Sequence, residues 1–499
     1  MTVSTAVPID PRVESFLQGG PKKLFIGGEF VESYNGKFFS TVNPATGEVL
    51  AQVYEADETD VEHAVAAAEV AFQSWSKTAP SARGKLIWKL ADLMEQHAEA
   101  LAQLDTLDNG KPIRETRNAD VPLSIDHFRY YAGWATKIHG EVINNSVSPN
   151  MLTYTRHEPI GVVGGIIPWN FPLLMVSWKL AAALAAGNVV VLKTAEQTPL
   201  SALYLAQLIQ EAGFPEGVVN IISGDGPTTG AAIVNHPRIR KIAFTGSTEV
   251  GKLIMRQAAG NLKKVSLELG GKSPNIIFSD ADFSKAIPGA LLGIFFNQGQ
   301  VCCAGSRLFV HKKVYDNVLA DMSSYAAKLK QGPGLDNSTE IGPLVSDEQF
   351  ARVSYYLNKG KEEGACAVVG GQPLDGPGYF VPPTIFADVS EEMTIVKEEI
   401  FGPVVTALPF DDEDQIADVI RRANNSEYGL AAGVWTNDVR KAHRVAHALE
   451  AGTVWVNCYN AFDASVPFGG YKQSGFGREN GSYALEMYTQ VKAVWMNLE

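Results

Sequence analysis

The sequence has 499 residues, 45% of them hydrophobic and 19% charged, with a formal net charge of −13. These are the values of a globular chain long enough for about three domains, and they exclude wholesale disorder. The acidic balance, with no basic run, also excludes a nucleic-acid partner or an anionic membrane surface, since each needs clustered Lys and Arg.

Residues 1–20 read as a loose polar arm punctuated by Pro and Gly, without the apolar core of a signal peptide. Short strands are expected at 24–30 and 38–42, with turns at Gly27-Gly28 and at Asn35-Gly36, the latter a hairpin signal. Asn43-Pro44-Ala45-Thr46-Gly47 is a further turn. Apolar residues at helical spacing predict helices over 60–76, 81–107 and 120–136, the second stopped by Asp108-Asn109-Gly110-Lys111-Pro112. The stretch 141–158 loses that period, and 152–157 alternates as a strand does. So does 491–497 near the end of the chain. Exposed edges that need a partner chain and an ordinary surface hairpin both fit these two segments.

From Pro159 the pattern is regular. Strands at 160–167, 188–193, 218–222, 241–245 and 264–269 alternate with helices at 173–186, 199–212, 228–235 and 248–259. Such alternation implies a doubly wound parallel sheet, which binds nucleotides at the carboxyl ends of its strands. Gly270-Gly271 marks a domain boundary. Beyond it come strands at 275–278, 306–310, 367–369, 404–408 and 454–457, and helices at 283–296, 315–330, 349–360 and 414–424. No run of 18 apolar residues occurs, so no membrane span is expected.

The four cysteines are Cys302, Cys303, Cys366 and Cys458, too few for a disulfide framework, which points to a reducing compartment. The nine histidines form no HExxH or HxH pair, so no metal site is expected. Cys302 and Cys303 lie side by side in Phe295-Phe296-Asn297-Gln298-Gly299-Gln300-Val301-Cys302-Cys303-Ala304-Gly305-Ser306-Arg307. Exposed N–H groups in a Gly/Gln-rich turn favour a thiolate and can hold an oxyanion, although a buried packing thiol fits as well. Glu268 shares a strand face with Ser266, as a solvated carboxylate or as a general base. Asn170, in Pro168-Trp169-Asn170-Phe171-Pro172, is a turn residue or an oxyanion donor.

Gly224-Asp225-Gly226-Pro227-Thr228-Thr229-Gly230 misses GxGxxG by one residue. Gly246-Ser247-Thr248-Glu249-Val250-Gly251-Lys252-Leu253 imitates a Walker A motif, but Leu253 replaces the Mg²⁺-binding hydroxyl and Glu249 would repel a triphosphate. What remains is a strand ending in Gly246-Ser247 before a helix N-terminus, a place for a diphosphate. Lys193 and Glu196 form either a surface ion pair or a ribose-diol site whose carboxylate favours NAD over NADP.

Seven motifs in order carry a resemblance: Pro168 to Pro172, Lys193-Thr194-Ala195-Glu196, Phe244 to Gly251, Leu267-Glu268-Leu269-Gly270-Gly271-Lys272, Phe295 to Arg307, Glu398-Glu399-Ile400-Phe401-Gly402-Pro403 and Pro467-Phe468-Gly469-Gly470. From about residue 20 to its end the chain resembles the NAD-dependent aldehyde dehydrogenases, in particular the broad-specificity cytosolic and mitochondrial type that includes retinal dehydrogenases. One departure is Thr194, where a small apolar residue or Pro is common. Agreement at all seven places favours the functional reading of each residue above.

The resemblance implies an α/β fold of the aldehyde dehydrogenase type, with two doubly wound parallel-sheet domains and a small β oligomerisation domain. The implied division is a flexible arm at 1–20, an NAD-binding domain at 21–140 and 159–271, a catalytic domain at 272–480, and oligomerisation strands at 141–158 and 489–499. It implies oxidation of aldehydes to acids, with Cys302 as nucleophile, Asn170 as oxyanion donor, Glu268 as general base, and Lys179 and Glu479 relaying the proton. The cofactor, NAD rather than NADP, would meet Ile166, Trp169, Lys193, Glu196, Gly226, Gly230, Gly246, Ser247, Gly251, Leu269, Glu399 and Phe401. Phe171, Met175, Trp178, Phe296, Val301, Cys303, Phe462 and Phe468 would line a tunnel for apolar aldehydes. A cytoplasmic homotetramer, a dimer of dimers, is expected, with no metal, nucleic-acid or membrane partner. The alternatives are a CoA-acylating aldehyde dehydrogenase and a catalytically silent NAD-binding relative.

Overall fold

The computed structural model describes residues 6–411 and 416–499. Two sheets organise it. In the first, the spatial order is Glu29–Val31, Leu24–Ile26, Val219–Ile222, Val189–Lys193, Val162–Ile166, Lys241–Thr245, Lys264–Glu268 and Gly475–Phe476. The five inner strands are parallel, and the flanking ones are antiparallel. From Val162–Ile166 the chain winds one way to Val189–Lys193 and Val219–Ile222. It then returns to the other side as Lys241–Thr245. That reversal opens a crevice at the carboxyl ends of Val162–Ile166 and Lys241–Thr245, where such sheets bind ligands.

The second sheet runs Cys366–Val369, Thr384–Ala387, Val404–Phe410, Arg307–His311, Pro274–Ile277, Ala431–Trp435 and Thr453–Val456. It is parallel except for its first pair. The chain passes from one sheet to the other between Lys264–Glu268 and Pro274–Ile277, across Gly270-Gly271. All fifteen residues of helix Pro172–Ala186 are buried, as expected of a helix apolar on every side.

Several local expectations are corrected. Residues 11–18 of the expected loose arm form helix Pro11–Gln18, capped by Asp10, with Pro at its start and Val13 buried. These are strong start signals that composition alone obscures. Residues 1–5 of that arm lie outside the described residues. Asn35-Gly36 does not close a hairpin. Glu29–Val31 pairs with Leu24–Ile26, whereas Phe38–Val42 pairs with Val49–Tyr54 across the Asn43–Gly47 turn. The expected helix 81–107 is two helices, Pro80–Gln96 and Ala98–Asn109, interrupted at His97, whose Nδ1 lies 2.7 Å from the Tyr204 hydroxyl. The start of the helix expected at 414–424 lies outside the described residues, and Ile416–Asn424 is helical. The two edge-like segments pair with each other, Met151–Pro159 antiparallel to Thr489–Asn497, with Val142–Ile143 on the far side.

The helical layer beside the first sheet buries an unusual amount of charge. Asp105, Asp108, Lys111, Glu115 and Asp120 are all buried where Ala98–Asn109 ends and the chain turns into Val121–Trp134. Burial pushes Glu115 up to about 8, although its Oε2 accepts the Asn297 N–H at 2.9 Å. A carboxyl raised in the fold stabilises the native state below the ordinary carboxylate range. That contribution is lost as pH rises towards about 8. Replacing Glu115 by Gln, which keeps the acceptor, should therefore flatten the decline of unfolding free energy between pH 5 and 8 by on the order of 1 kcal/mol per pH unit. Identical slopes in urea titrations of the two proteins would refute the assignment.

Candidate active site

Cys302 is delivered by helix Phe283–Phe295 and the tight turn that follows it. The turn holds three consecutive left-handed residues, Asn297, Gln298 and Gly299, a conformation that non-glycine residues adopt only when neighbours compel it. The neighbours are visible. The Asn297 N–H donates to Glu115, Gln298 Nε2 donates to the Pro343 carbonyl at 2.9 Å, and Gln300 Oε1 accepts the Val345 N–H at 3.0 Å. The turn also packs against the crossing between the sheets. A Cβ on Gly271 would lie 2.3 Å from the Cys302 carbonyl oxygen, so no larger residue fits there.

Cys302 is partly exposed, and Cys303 is buried. Cys303 Sγ lies 3.7 Å from Asn460 Oδ1, and its carbonyl accepts the Tyr459 hydroxyl at 2.8 Å. The neighbouring Cys303 thiol, and then burial, hold the Cys302 thiol well above its ordinary value.

Glu268 ends the strand Lys264–Glu268 and is buried, with neither carboxylate oxygen partnered among the described residues. Burial, and then the charge of Glu479, push it well above the usual carboxylate range, and Cys302 is among the groups that raise it. Segment 467–480 folds back against this strand through Gly475–Phe476. It brings Glu479 to Lys179, with which it forms a buried ion pair. The second carboxylate oxygen of Glu479 has no partner among the described residues.

Asn170 follows the strand Val162–Ile166. Its side-chain amide donates to the Gln300 carbonyl at 3.0 Å, and its other N–H has no acceptor among the described residues. Trp169 beside it meets the Phe401 ring edge-on at 5.2 Å. Phe171 stacks on Phe296 at 6.1 Å. Trp178 meets Phe468 edge-on at 5.5 Å, and Phe462 lies tilted against Phe468 at 5.5 Å. Met175 and Val301 are buried alongside.

The remaining predicted residues surround the crevice unevenly. Lys193 ends its strand buried, 3.4 Å from a half-exposed Glu196, and Gly230 stands against its stem. Ser247 caps helix Thr248–Ala258 from an exposed position, and Val250 and Leu253 expose apolar surface beside it. Glu399 accepts the Gly271 N–H at 2.8 Å through one oxygen only, and burial pushes it up to about 7. An open helix N-terminus, an apolar strip and two carboxylates with acceptor capacity left over suit the phosphates, base and ribose hydroxyls of a dinucleotide.

Three others of the set, Gly251, Leu269 and Ile166, pack inward, while Gly226 is exposed. Gly251 packs directly on Leu269, and Ile166 is buried at its strand end. The N–H groups after Gly226 are already taken, because the Asp225 carboxylate accepts from Thr228 and Thr229. The close approach at Gly251 holds helix Thr248–Ala258 against Leu269.

Sequence reasoning missed Lys111, whose Nζ donates to the Asn170 carbonyl at 2.9 Å, and Arg478, whose charge reaches Glu268. It also missed Trp455 and Tyr459, which continue the aromatic wall. The only available signal for Lys111 was a lysine inside a helix-stop motif.

Comparison with known proteins agrees over nearly the whole chain. The sequence model of the Aldehyde dehydrogenase family matches residues 30–494. The chain is 62% identical over 498 residues to DhaS of Bacillus subtilis (strain 168), covering 99% of each. It is 54% identical over 476 residues to the mitochondrial aldehyde dehydrogenase of Homo sapiens, covering 95% of this chain and 91% of the human one. Among solved structures, the NAD+ complex of aldehyde dehydrogenase from Bacillus cereus superimposes with a TM-score of 0.97 at 57% identity, covering 99% of this chain and 100% of the other.

A thiol held this high is almost wholly protonated at neutral pH, and only the thiolate attacks an alkylating agent. Iodoacetamide labelling of Cys302, followed by mass spectrometry, should accelerate about tenfold per pH unit from pH 7 to 9. A plateau already reached at pH 7 would show a stabilised thiolate instead.

Proposed function

The chain belongs to the aldehyde dehydrogenase family and is an NAD-dependent oxidoreductase acting on aldehydes, and from that premise we propose that Cys302 and Glu268 carry its chemistry, yielding carboxylic acids. One observation carries this reading. A buried carboxylate with both oxygens unpartnered sits within electrostatic reach of a partly exposed thiol. Buried polar groups are otherwise almost always satisfied, and the exceptions cluster at working sites.

Cys302 loses its proton and attacks the aldehyde carbon, giving a thiohemiacetal. The Asn170 amide and the Cys302 N–H stabilise the oxyanion, each donor contributing about 3 kcal/mol. NAD, when bound, accepts the hydride that converts this adduct to a thioester. Lys193 and Glu196 would hold its adenosine ribose, Gly246 and Ser247 its pyrophosphate, and Glu399 its nicotinamide ribose, with Trp169 and Phe401 close by. Glu268 then takes a proton from water, whose oxygen attacks the thioester carbon; the C–S bond breaks, the Cys302 thiolate is regenerated and the acid departs. Lys179 and Glu479 receive that proton and pass it outward. Phe171, Met175, Trp178, Phe296, Val301, Cys303, Phe462 and Phe468 form an aromatic-rich approach that suits apolar aldehydes.

The finer assignments extend this reading. Glu196 disfavours a 2′-phosphate, so NAD is preferred over NADP. Val142, Ile143, Val491, Trp495 and Met496 are exposed on the small three-stranded sheet. Covering them with other copies accounts for a homotetramer built as a dimer of dimers. Residues 21–140 and 159–271 then serve as the cofactor domain and 272–480 as the catalytic domain. No helix among the described residues is long and apolar enough to cross a membrane. The free cysteines fit the cytoplasm. Glu268 disfavours the CoA-acylating alternative, because only the hydrolytic branch needs an activated water. The complete set of thiol, amide and base disfavours a silent relative.

Rapid mixing of Glu268→Gln with aldehyde and NAD, without CoA, should give one equivalent of NADH and then stop, while Cys302→Ala gives none. Continuous turnover by Glu268→Gln would remove its role as base. Separately, Glu196→Gln should lower the ratio of kcat/KM for NAD to that for NADP, by about tenfold or more, since one charge repulsion is lifted. An unchanged ratio would contradict the ribose assignment.

A further inference from the structure

The structure assigns to Lys111 a place in the reaction: we propose that it is the positioning residue of the oxyanion donor, its ammonium locking the Asn170 main chain, and hence the Asn170 amide, against Asp120. This inference rests on the reading of Asn170 as the oxyanion donor.

Lys111 is fully buried. Its Nζ donates to Asp120 Oδ2 at 2.5 Å and to the Asn170 carbonyl at 2.9 Å, and it lies 4.0 Å from the centre of the Phe171 ring. An ammonium has three donors, and these are three receivers, two oxygens and one aromatic face. The side chain has no remaining freedom. Breaking a buried pair of this kind leaves an uncompensated charge, so the contact is stiff as well as specific.

The Asn170 carbonyl is where several supports meet. Asn297 Nδ2 donates to it at 2.8 Å, and Asn109 Nδ2 reaches it at 3.4 Å and the Trp169 carbonyl at 2.9 Å. Asn109 and Lys111 flank Gly110, whose left-handed backbone ends the helix Ala98–Asn109 and turns both side chains toward the loop. Asn297 belongs to the turn that carries Cys302, and the Asn170 amide donates back to Gln300 in the same turn. Donor loop and nucleophile turn are therefore clamped to each other, with Lys111 supplying the cation that meets the Asn170 carbonyl.

Phe171, against which the ammonium rests, stacks on Phe296. One cation thus fixes both the oxyanion donor and the first ring pair of the substrate approach. A small shift of an oxyanion donor matters, because the developing charge is stabilised only at the correct distance.

The competing view is that Lys111 merely neutralises the buried acids around it. A double-mutant cycle on the NADH burst rate at saturating aldehyde and NAD separates the two. Asn170→Ala should slow the burst about 100-fold, and Lys111→Met about 10-fold or more. Combined with Asn170→Ala, Lys111→Met should cost less than threefold further, with KM for NAD unchanged throughout. Losses that multiply, or a Lys111→Met burst within threefold of the parent, would overturn the inference while leaving the oxyanion donor in place. An Asn170→Ala burst at the parent rate would remove the oxyanion reading and this inference with it. If Lys111→Met does not fold, Lys111→Met/Asp120→Asn, which removes the anion with its cation, takes its place in the cycle. Failure of both to fold would make Lys111 a determinant of the fold alone and overturn the assignment.

Discussion

A carboxylate kept in the interior without a hydrogen-bond partner carries a desolvation cost of at least a few kcal/mol, and the architecture around Glu268 is arranged to sustain it. Its strand lies between Lys241–Thr245 on one side and Gly475–Phe476 on the other, so its backbone is held even though its side chain is not. Gly469 keeps the nearest wall free of a side chain, since a Cβ there would come within 2.9 Å of Glu268 Oε1. Lys179, itself tied to Glu479, supplies positive potential without a direct hydrogen bond. The free oxygens are what a water-activating base requires, and the fold bears the cost elsewhere, in a large, fully buried apolar layer.

The same division governs the turn at Cys302. Three successive left-handed residues are unfavourable in isolation, yet Asn297 and Gln298 are tied to Glu115 and Pro343, and Gln300 directly after them to Val345. A thiol placed this way has little freedom to wander from the Asn170 amide. Preorganisation of this sort, in place of flexibility, is the efficient route to stabilising an oxyanion.

What the sequence made legible was local in origin. The βα alternation, the strand-turn-helix sites at Gly246-Ser247 and Lys193, and the paired cysteines all follow from residues within a few positions of each other. What it concealed depends on distance. Asn35-Gly36 has the chemistry of a hairpin turn, but Leu24–Ile26 claims Glu29–Val31 first, and the local preference loses to the sheet. His97 interrupts a continuous helical pattern where it meets Tyr204, a residue 107 positions away. Gly226 sits in the sequence of a phosphate cradle, but the Thr228 and Thr229 N–H groups that follow it donate to the Asp225 carboxylate. Lys111 read as punctuation after a helix because Asp120, Asn170 and Phe171 converge on it only in three dimensions.

The protonation of the two central groups completes the physical picture. Cys302 and Glu268 are both held above their ordinary values, so the resting site keeps a proton on the thiol and tends to keep one on the carboxyl. Attack needs the thiolate, and hydrolysis needs the carboxylate. Cys302 is among the groups that raise Glu268, and a Coulomb repulsion is mutual, so forming either charge raises the cost of the other. The two steps are thereby kept apart in time. In the proposed reaction a proton leaves before the thiol attacks, and Glu268 acts as base once the thiolate charge has been consumed in the thioester. Glu479, with one oxygen unpartnered beside a fully buried lysine, lies in the direction in which that proton can go. In the reaction proposed above, the order of the steps follows from the mutual repulsion of these two anions, with the Lys179–Glu479 pair as the outlet.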